Sequence, residues 1–136
     1  MTDRCVYSFH HDDGAPRYFG EGHLTRPQSH INEARKRNRL GLGPVSGAGS
    51  GGDFANWLQE ELAAGRVPRW QHVWTDLDKA WALDLQNACL ARFGKLSEGG
   101  LLLNRFGYNR ATADALAFVR RRSRRRWFLP PISRAS

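Results

Sequence analysis

Four side chains near the start of the chain could act together on a phosphate group. Tyr7 and Tyr18 lie in two short β-prone runs, Cys5-Val6-Tyr7-Ser8-Phe9 and Arg17-Tyr18-Phe19, separated by Asp13-Gly14. Asp-Gly between such runs is a hairpin-turn signal, and a hairpin brings the two phenols near one another. Arg26 and His30 are four residues apart, so on a helix they share one face. A helix that starts just after the hairpin aims that face at the strand ends. A guanidinium can hold two phosphate oxygens at once. A phenol or an imidazole can pass a proton or hydrogen-bond a nucleophilic water. Taken singly these residues are ordinary, because strand tyrosines usually pack and helical Arg and His usually face solvent. Convergence is what would turn them into a site.

The elements that must position them can be read from the surrounding pattern. Gly20 and Gly22 end the second strand, and Thr25 or Ser29 could cap a helix to about Arg39, with Pro27 tolerated in its first turn. Residues 41–52, GLGPVSGAGSGG, read as a flexible connector and lack the Gly-Lys-Ser/Thr ending of a phosphate-binding loop. Asp53 can cap a helix from Phe54 to Ala64, stopped by Gly65. The alternation of Trp70, His72 and Trp74 predicts a strand with one aromatic face. Thr75 with Asp78 resembles a capping box ahead of a long helix to Phe93, which Gly94 stops. Leu101-Leu102-Leu103 is a short apolar run ending at Asn104. Residues from Arg110 to about Trp127 read as a helix, terminated by Pro130 and Pro131. The order β-β-α-α-β-α predicts an α/β fold, with a small three-stranded, mostly antiparallel sheet flanked by helices and a basic C-terminal helix.

Val6-Tyr7-Ser8, then Tyr18-Phe19-Gly20-Glu21-Gly22, then Arg26 and His30, resembles the opening of the GIY-YIG nucleases. Downstream, a helix ending in Phe93-Gly94 and the subsequent Leu102-Leu103-Asn104 are similar to that family's later elements. The resemblance covers residues 5–108. It implies a DNA endonuclease that hydrolyses phosphodiester bonds with one divalent ion, Mg²⁺ or Mn²⁺. It implies Tyr7 as general base or as the group that positions the attacking water, with Tyr18 as its hydrogen-bonding partner. It implies Arg26 on the scissile phosphate, His30 orienting the nucleophile or the Tyr7 hydroxyl, and Asn104 bracing the site.

One departure limits that expectation. Counting back from Phe93-Gly94, the family's metal-binding glutamate falls at Gln86. Glutamine keeps the shape and one acceptor oxygen but loses the charge that a hard cation needs. Asp84, two residues away on the helix, points elsewhere. Gln86 is then an introduced Glu→Gln change that disables cleavage, the mark of a natural domain that binds without cutting, or an ordinary helix residue outside the motif's register. Glu21 replaces a lysine common in the family. His10, His11, Asp12 and Asp13 resemble metal ligands on paper but are expected to be solvent-exposed at a hairpin tip.

The charge is unevenly placed. Residues 1–108 carry 13 Lys/Arg against 12 Asp/Glu, whereas residues 109–136 carry eight Arg against one Asp. The expected division is therefore a nuclease-like domain over 1–108 and a basic tail over 109–136. Arg35, Lys36, Arg37 and Arg39 form a local basic stretch, and Arg120, Arg121, Arg122, Arg124, Arg125 and Arg126 a second. Such stretches meet the phosphates of double-stranded DNA without reading sequence. Cys5 and Cys89 have no metal-binding spacing and are expected as reduced core thiols. No apolar run approaches a membrane span, and the first residues lack a signal-peptide pattern, so a cytoplasmic protein is expected. The length suits a compact restriction- or phage-type nuclease, acting as a homodimer for double-strand cleavage. The competing expectations are a non-catalytic DNA- or RNA-binding module on the same fold and a small RNA-binding protein of other ancestry.

Overall fold

The computed structural model describes residues 2–43, 52–104 and 111–123. Strands β1 (Arg4–His10), β2 (Pro16–His23) and β3 (Arg69–Trp74) form an antiparallel sheet in the order β2-β1-β3. Helices α1 (Arg26–Arg39) and α2 (Gly52–Ala63) lie between β2 and β3 in sequence; α3 (Lys79–Phe93), a short 3-10 turn (Leu96–Glu98) and α4 (Ala113–Arg122) complete the chain order. Arg124, Arg125 and Arg126 lie outside the described residues, as does most of the predicted basic tail. No described helix is long and apolar enough to cross a membrane.

β1 is the central strand, and its alternation divides the interior in two. Cys5, Tyr7 and Phe9 point toward α1 and α2, where Ile31, Ala34, Phe54 and Leu58 close over them. Val6, with Phe19 of β2, points toward α3 and α4 and packs on Ala82, Leu85, Cys89, Phe93, Ala115 and Val119. This is the period-two rule of strands acting on a sheet covered on both faces. Cys5 and Cys89 are free, buried and in different clusters.

The aromatic alternation of β3 does not survive pairing. A bulge lies between Val6 and Tyr7, so that Val6 pairs with Trp74 while Tyr7 pairs with His72. Val73 is the extra residue, and from there on the strand changes faces. Trp70 therefore packs in the α1/α2 cluster, whereas Val73 and Trp74 join the α3/α4 cluster. The predicted single aromatic face is corrected accordingly.

The helix starts differ from expectation. α3 is capped by Asp78, whose carboxylate accepts from Trp81 N, rather than by Thr75. Thr25 does precede α1, but its side chain makes no capping bond. α4 begins at Ala113, capped by Thr112, whose hydroxyl accepts from Ala115 N at 3.1 Å. Asp84 of α3 in turn accepts from both Thr112 N (2.9 Å) and Thr112 Oγ1 (2.6 Å), tying α4 to α3.

The stretch after α3 returns to the outer edge of β2. Gly94, with φ +75°, ends the helix, and its backbone lies so close to Gly100 that neither could carry a side chain without displacement. Leu103 N then donates to Arg17 O at 2.7 Å. Asn104 completes the seam: its Oδ1 accepts from Phe19 N (3.2 Å) and its Nδ2 donates to Phe19 O (2.7 Å). A side-chain amide here repeats the pairing of a neighbouring strand.

Candidate phosphate-binding site

The residues singled out for phosphate chemistry converge on the α1/α2 face of the sheet. Tyr7 is 2% exposed, and its hydroxyl lies 2.9 Å from His30 Nε2. The Tyr7 and Tyr18 rings are 6.4 Å apart, and His30 is 5.8 Å from Tyr7 and 6.2 Å from Tyr18. Arg26, exposed one turn before His30, stands near enough for its charge to oppose the upward push of burial on the Tyr7 phenol. Its stem passes over Gly22, where a Cβ would meet Arg26 Cβ and Cγ at 3.7 Å.

Local sequence explains this placement. Tyr7 pairs directly with Gly20 in β2. A Cβ at Gly20 would fall inside the van der Waals envelope of the phenol, so glycine is what lets the ring lie down on the neighbouring strand. Pro27, Ile31 and Ala34 bury one side of α1, and that docking turns Arg26 and His30 toward the strand that carries Tyr7. Phe54 of α2 fixes the far wall. It stacks on Tyr18 at 3.8 Å and meets His30 edge-on at 5.1 Å. Asn104 acts one step behind the site, bracing Phe19 between Tyr18 and Gly20.

Burial sets the protonation states. The Tyr7 phenol is pushed well above its ordinary value, first by desolvation and then by Tyr18, with Arg26 opposing. Tyr18 is likewise raised by burial. His30 is pulled down to about 4, by burial first and by the Arg26 charge second. At neutral pH the site thus holds a neutral phenol, a neutral imidazole and a permanent cation.

Gln86 comes from a different element, α3. It is half-buried on α3, the helix whose apolar side packs on the opposite face of the sheet from Tyr7. Among the described residues, no hydrogen bond ties it to Tyr7, Tyr18, Arg26 or His30. The carboxylates nearest to it in the expected scheme are spent: Asp84 on Thr112, and Glu21 in an ion pair with Arg4 at 2.5 Å. No group of three or more His, Cys, Asp or Glu able to hold a metal occurs among the described residues. A neutral amide with engaged carboxylates does not make a seat for a hard divalent cation.

The remaining candidates divide between surface and interior. Arg35, Lys36 and Arg39 are exposed along α1. Arg37 instead turns inward, donating from Nε to Gln59 Oε1 (3.2 Å) and from Nη2 to Gly43 O (2.8 Å). Arg120, Arg121 and Arg122 occupy the exposed last turn of α4. His10 is corrected. It is 1% exposed, donates from Nδ1 to Gly14 O at 2.9 Å and accepts at Nε2 from Ser8 Oγ at 2.6 Å. Asp12 and Asp13 are exposed, and His11 is half-buried against Trp57.

Two residues of the site carry no such signal in the sequence. Phe54 reads there only as the first apolar residue of a helix, and His72 as part of an aromatic stripe. His72 is the cross-strand partner of Tyr7 on the side away from Gly20. Its spacing to Tyr7 says nothing, because the pairing joins strands 65 residues apart in number.

No family model, no curated protein and no solved structure matches this chain.

Proposed function

We propose that the chain is a GIY-YIG-type phosphodiesterase domain, a DNA endonuclease whose cleavage is blunted by Gln86. The observation that carries this reading is the Tyr7 hydroxyl held 2.9 Å from His30 Nε2, beside Arg26 and across Gly20. Arg26 would grip the phosphate and steady the charge that develops on it. A phenol held this far toward its protonated form does not serve as a free phenolate base at neutral pH. Tyr7 instead orients water: its hydroxyl, beside the Arg26 charge, would donate to His30 Nε2. The imidazole then carries its own hydrogen on Nδ1. As water attacks phosphorus and the bond to the leaving sugar oxygen breaks, the water would hand a proton to Tyr7, Tyr7 would pass its own to His30, and the leaving oxygen would take a proton from solvent. The exposed Arg35, Lys36 and Arg39, with the arginines of α4, would track the backbone of double-stranded DNA. Gln86 offers no charge to the Mg²⁺ or Mn²⁺ implied by the resemblance, so the ion would be held weakly here, and the proton transfers described use side chains and water.

The second reading is a module that binds nucleic acid without cutting it. It is favoured by that same donor set, in which Gln86 is neutral and Asp84 and Glu21 are engaged. Supercoiled plasmid with Mg²⁺ or Mn²⁺ separates the two. The endonuclease reading expects faint or no nicking by this chain and clear nicking by Gln86→Glu. A Gln86→Glu protein that binds DNA and never nicks it leaves only the binding module. A protein that neither binds nor nicks ends both readings.

A further inference from the structure

Tyr7 has a partner on each side in the sheet. Gly20 of β2 and His72 of β3 are both its direct cross-strand partners, so the three residues form one transverse row on one face. His72 Nε2 lies 2.8 Å from the carbonyl oxygen of Leu24. A carbonyl can only accept, so Nε2 carries the hydrogen. The Leu24 N–H is held in turn by Asp3 O at 2.9 Å. Leu24 is thereby clamped from β3 by a side chain and from the start of β1 by the backbone.

The clamp sits at the entry to α1, with Leu24 two residues before Arg26. α1 has no side-chain cap and no acidic residue in its first turn; Pro27 and the buried face dock the helix, but the turn that leads into it needs a further tie to the sheet. The imidazole of His72 reaches across the sheet to supply it.

We propose that His72 is a positioning residue for Arg26: it anchors the turn at Leu24 and so sets where the guanidinium stands beside Tyr7. This rests on reading Tyr7, Arg26 and His30 as a phosphate site.

The test compares the full chain with His72→Phe, His72→Gln, Arg26→Ala and the Arg26→Ala/His72→Phe double variant. A glutamine amide can place an N–H near the position of Nε2, whereas phenylalanine cannot. With a fluorescein-labelled DNA duplex as probe, His72→Phe should weaken binding roughly tenfold and His72→Gln about twofold or less. The double variant should bind no more weakly than Arg26→Ala alone, because both changes remove one function. Full affinity in His72→Phe, or losses that simply add in the double variant, overturn the proposal. Should His72→Phe fail to fold, His72→Ala replaces it in the same cycle. NMR supplies a readout independent of DNA. The imidazole nitrogens should report hydrogen on Nε2, and the Thr25 and Arg26 amide signals should move in His72→Phe but stay in His72→Gln. Hydrogen on Nδ1 alone, or unmoved amides, overturns the proposal whatever the binding result. If Arg26→Ala binds DNA like the parent chain, the phosphate-site reading fails, and the NMR comparison still decides the role of His72.

Discussion

Tyr7 lies flat across Gly20, its partner in the neighbouring strand, at a distance that leaves no room for a methyl group. Gly20→Ala must therefore lift the phenol away from His30. The expected cost is about 1–3 kcal/mol, the range for overpacking a filled interior. Urea denaturation reads the stability, and the Tyr7 ring signals in NMR read the displacement. An alanine variant as stable as the parent chain, with unmoved ring signals, would contradict the described packing.

Tyr7→Phe keeps the ring and removes only the hydroxyl. Its effect on stability should be small, about 1 kcal/mol, because one net hydrogen bond disappears. In the Gln86→Glu background it should reduce nicking by roughly a hundredfold or more, the scale of a missing proton-handling group. Equal nicking with and without the hydroxyl would remove Tyr7 from the chemistry.

Asn104 pairs with both backbone groups of Phe19, and it is 5% exposed. Asn104→Leu fills similar space but strands a buried N–H and a buried C=O, for an expected loss of roughly 2–4 kcal/mol. Asn104→Asp keeps an acceptor for Phe19 N and loses the donor to Phe19 O, so its loss should fall between. Hydrogen exchange at Phe19 is the local check: protection unchanged in Asn104→Leu would show that the amide braces nothing.

Acid should weaken the fold before it reaches the carboxylates. His10 and His30 are both lowered from 6.5 to about 4, chiefly by burial, and His11 is lowered as well. Their folded values lie below the unfolded one, so between those limits the unfolded chain binds more protons. The stabilisation is complete above pH 6.5, declines as pH falls toward 4, and is gone below it. His10, being almost wholly buried, contributes on the order of 3 kcal/mol across that window. Urea midpoints taken through the window should fall less steeply in His10→Gln than in the parent chain. Parallel slopes would mean that His10 does not titrate this way.

The basic residues of α1 should separate into two kinds. Charge reversal at Arg35, Lys36 or Arg39 is expected to reduce the salt dependence of DNA binding, by about 0.9 in the log–log slope for each phosphate no longer neutralised. Arg37→Gln should chiefly lower stability, since that guanidinium joins α1 to Gln59 and Gly43. Four substitutions with one common effect on the salt slope would show that Arg37 also meets DNA.

Much of this architecture is legible in the sequence. The Asp13-Gly14 turn, the two tyrosine-bearing strands and the Arg26/His30 spacing are local signals, and the structure keeps each of them. Features set by pairing over long separations escape such reading. His10 looks like a polar tip residue until Ser8 Oγ and Gly14 O are seen to satisfy both ring nitrogens. Trp74 reads as the third member of a stripe until a single bulge turns it to the other face. Phe54 and His72 enter the site through α2 and β3, and no spacing along the chain links them to Tyr7.

The seam formed by Leu103 and Asn104 also governs how copies of this domain could join. Arg17 O and both backbone groups of Phe19 are already taken, so a foreign strand arriving at this stretch of β2 finds its ladder occupied. β1 is interior to the sheet. β3 is the sheet's other edge, and it carries both the Trp70 indole and the His72 that tethers Leu24. A strand added there would extend the sheet beside the residue whose side chain, on the sheet's face, holds the entry to α1.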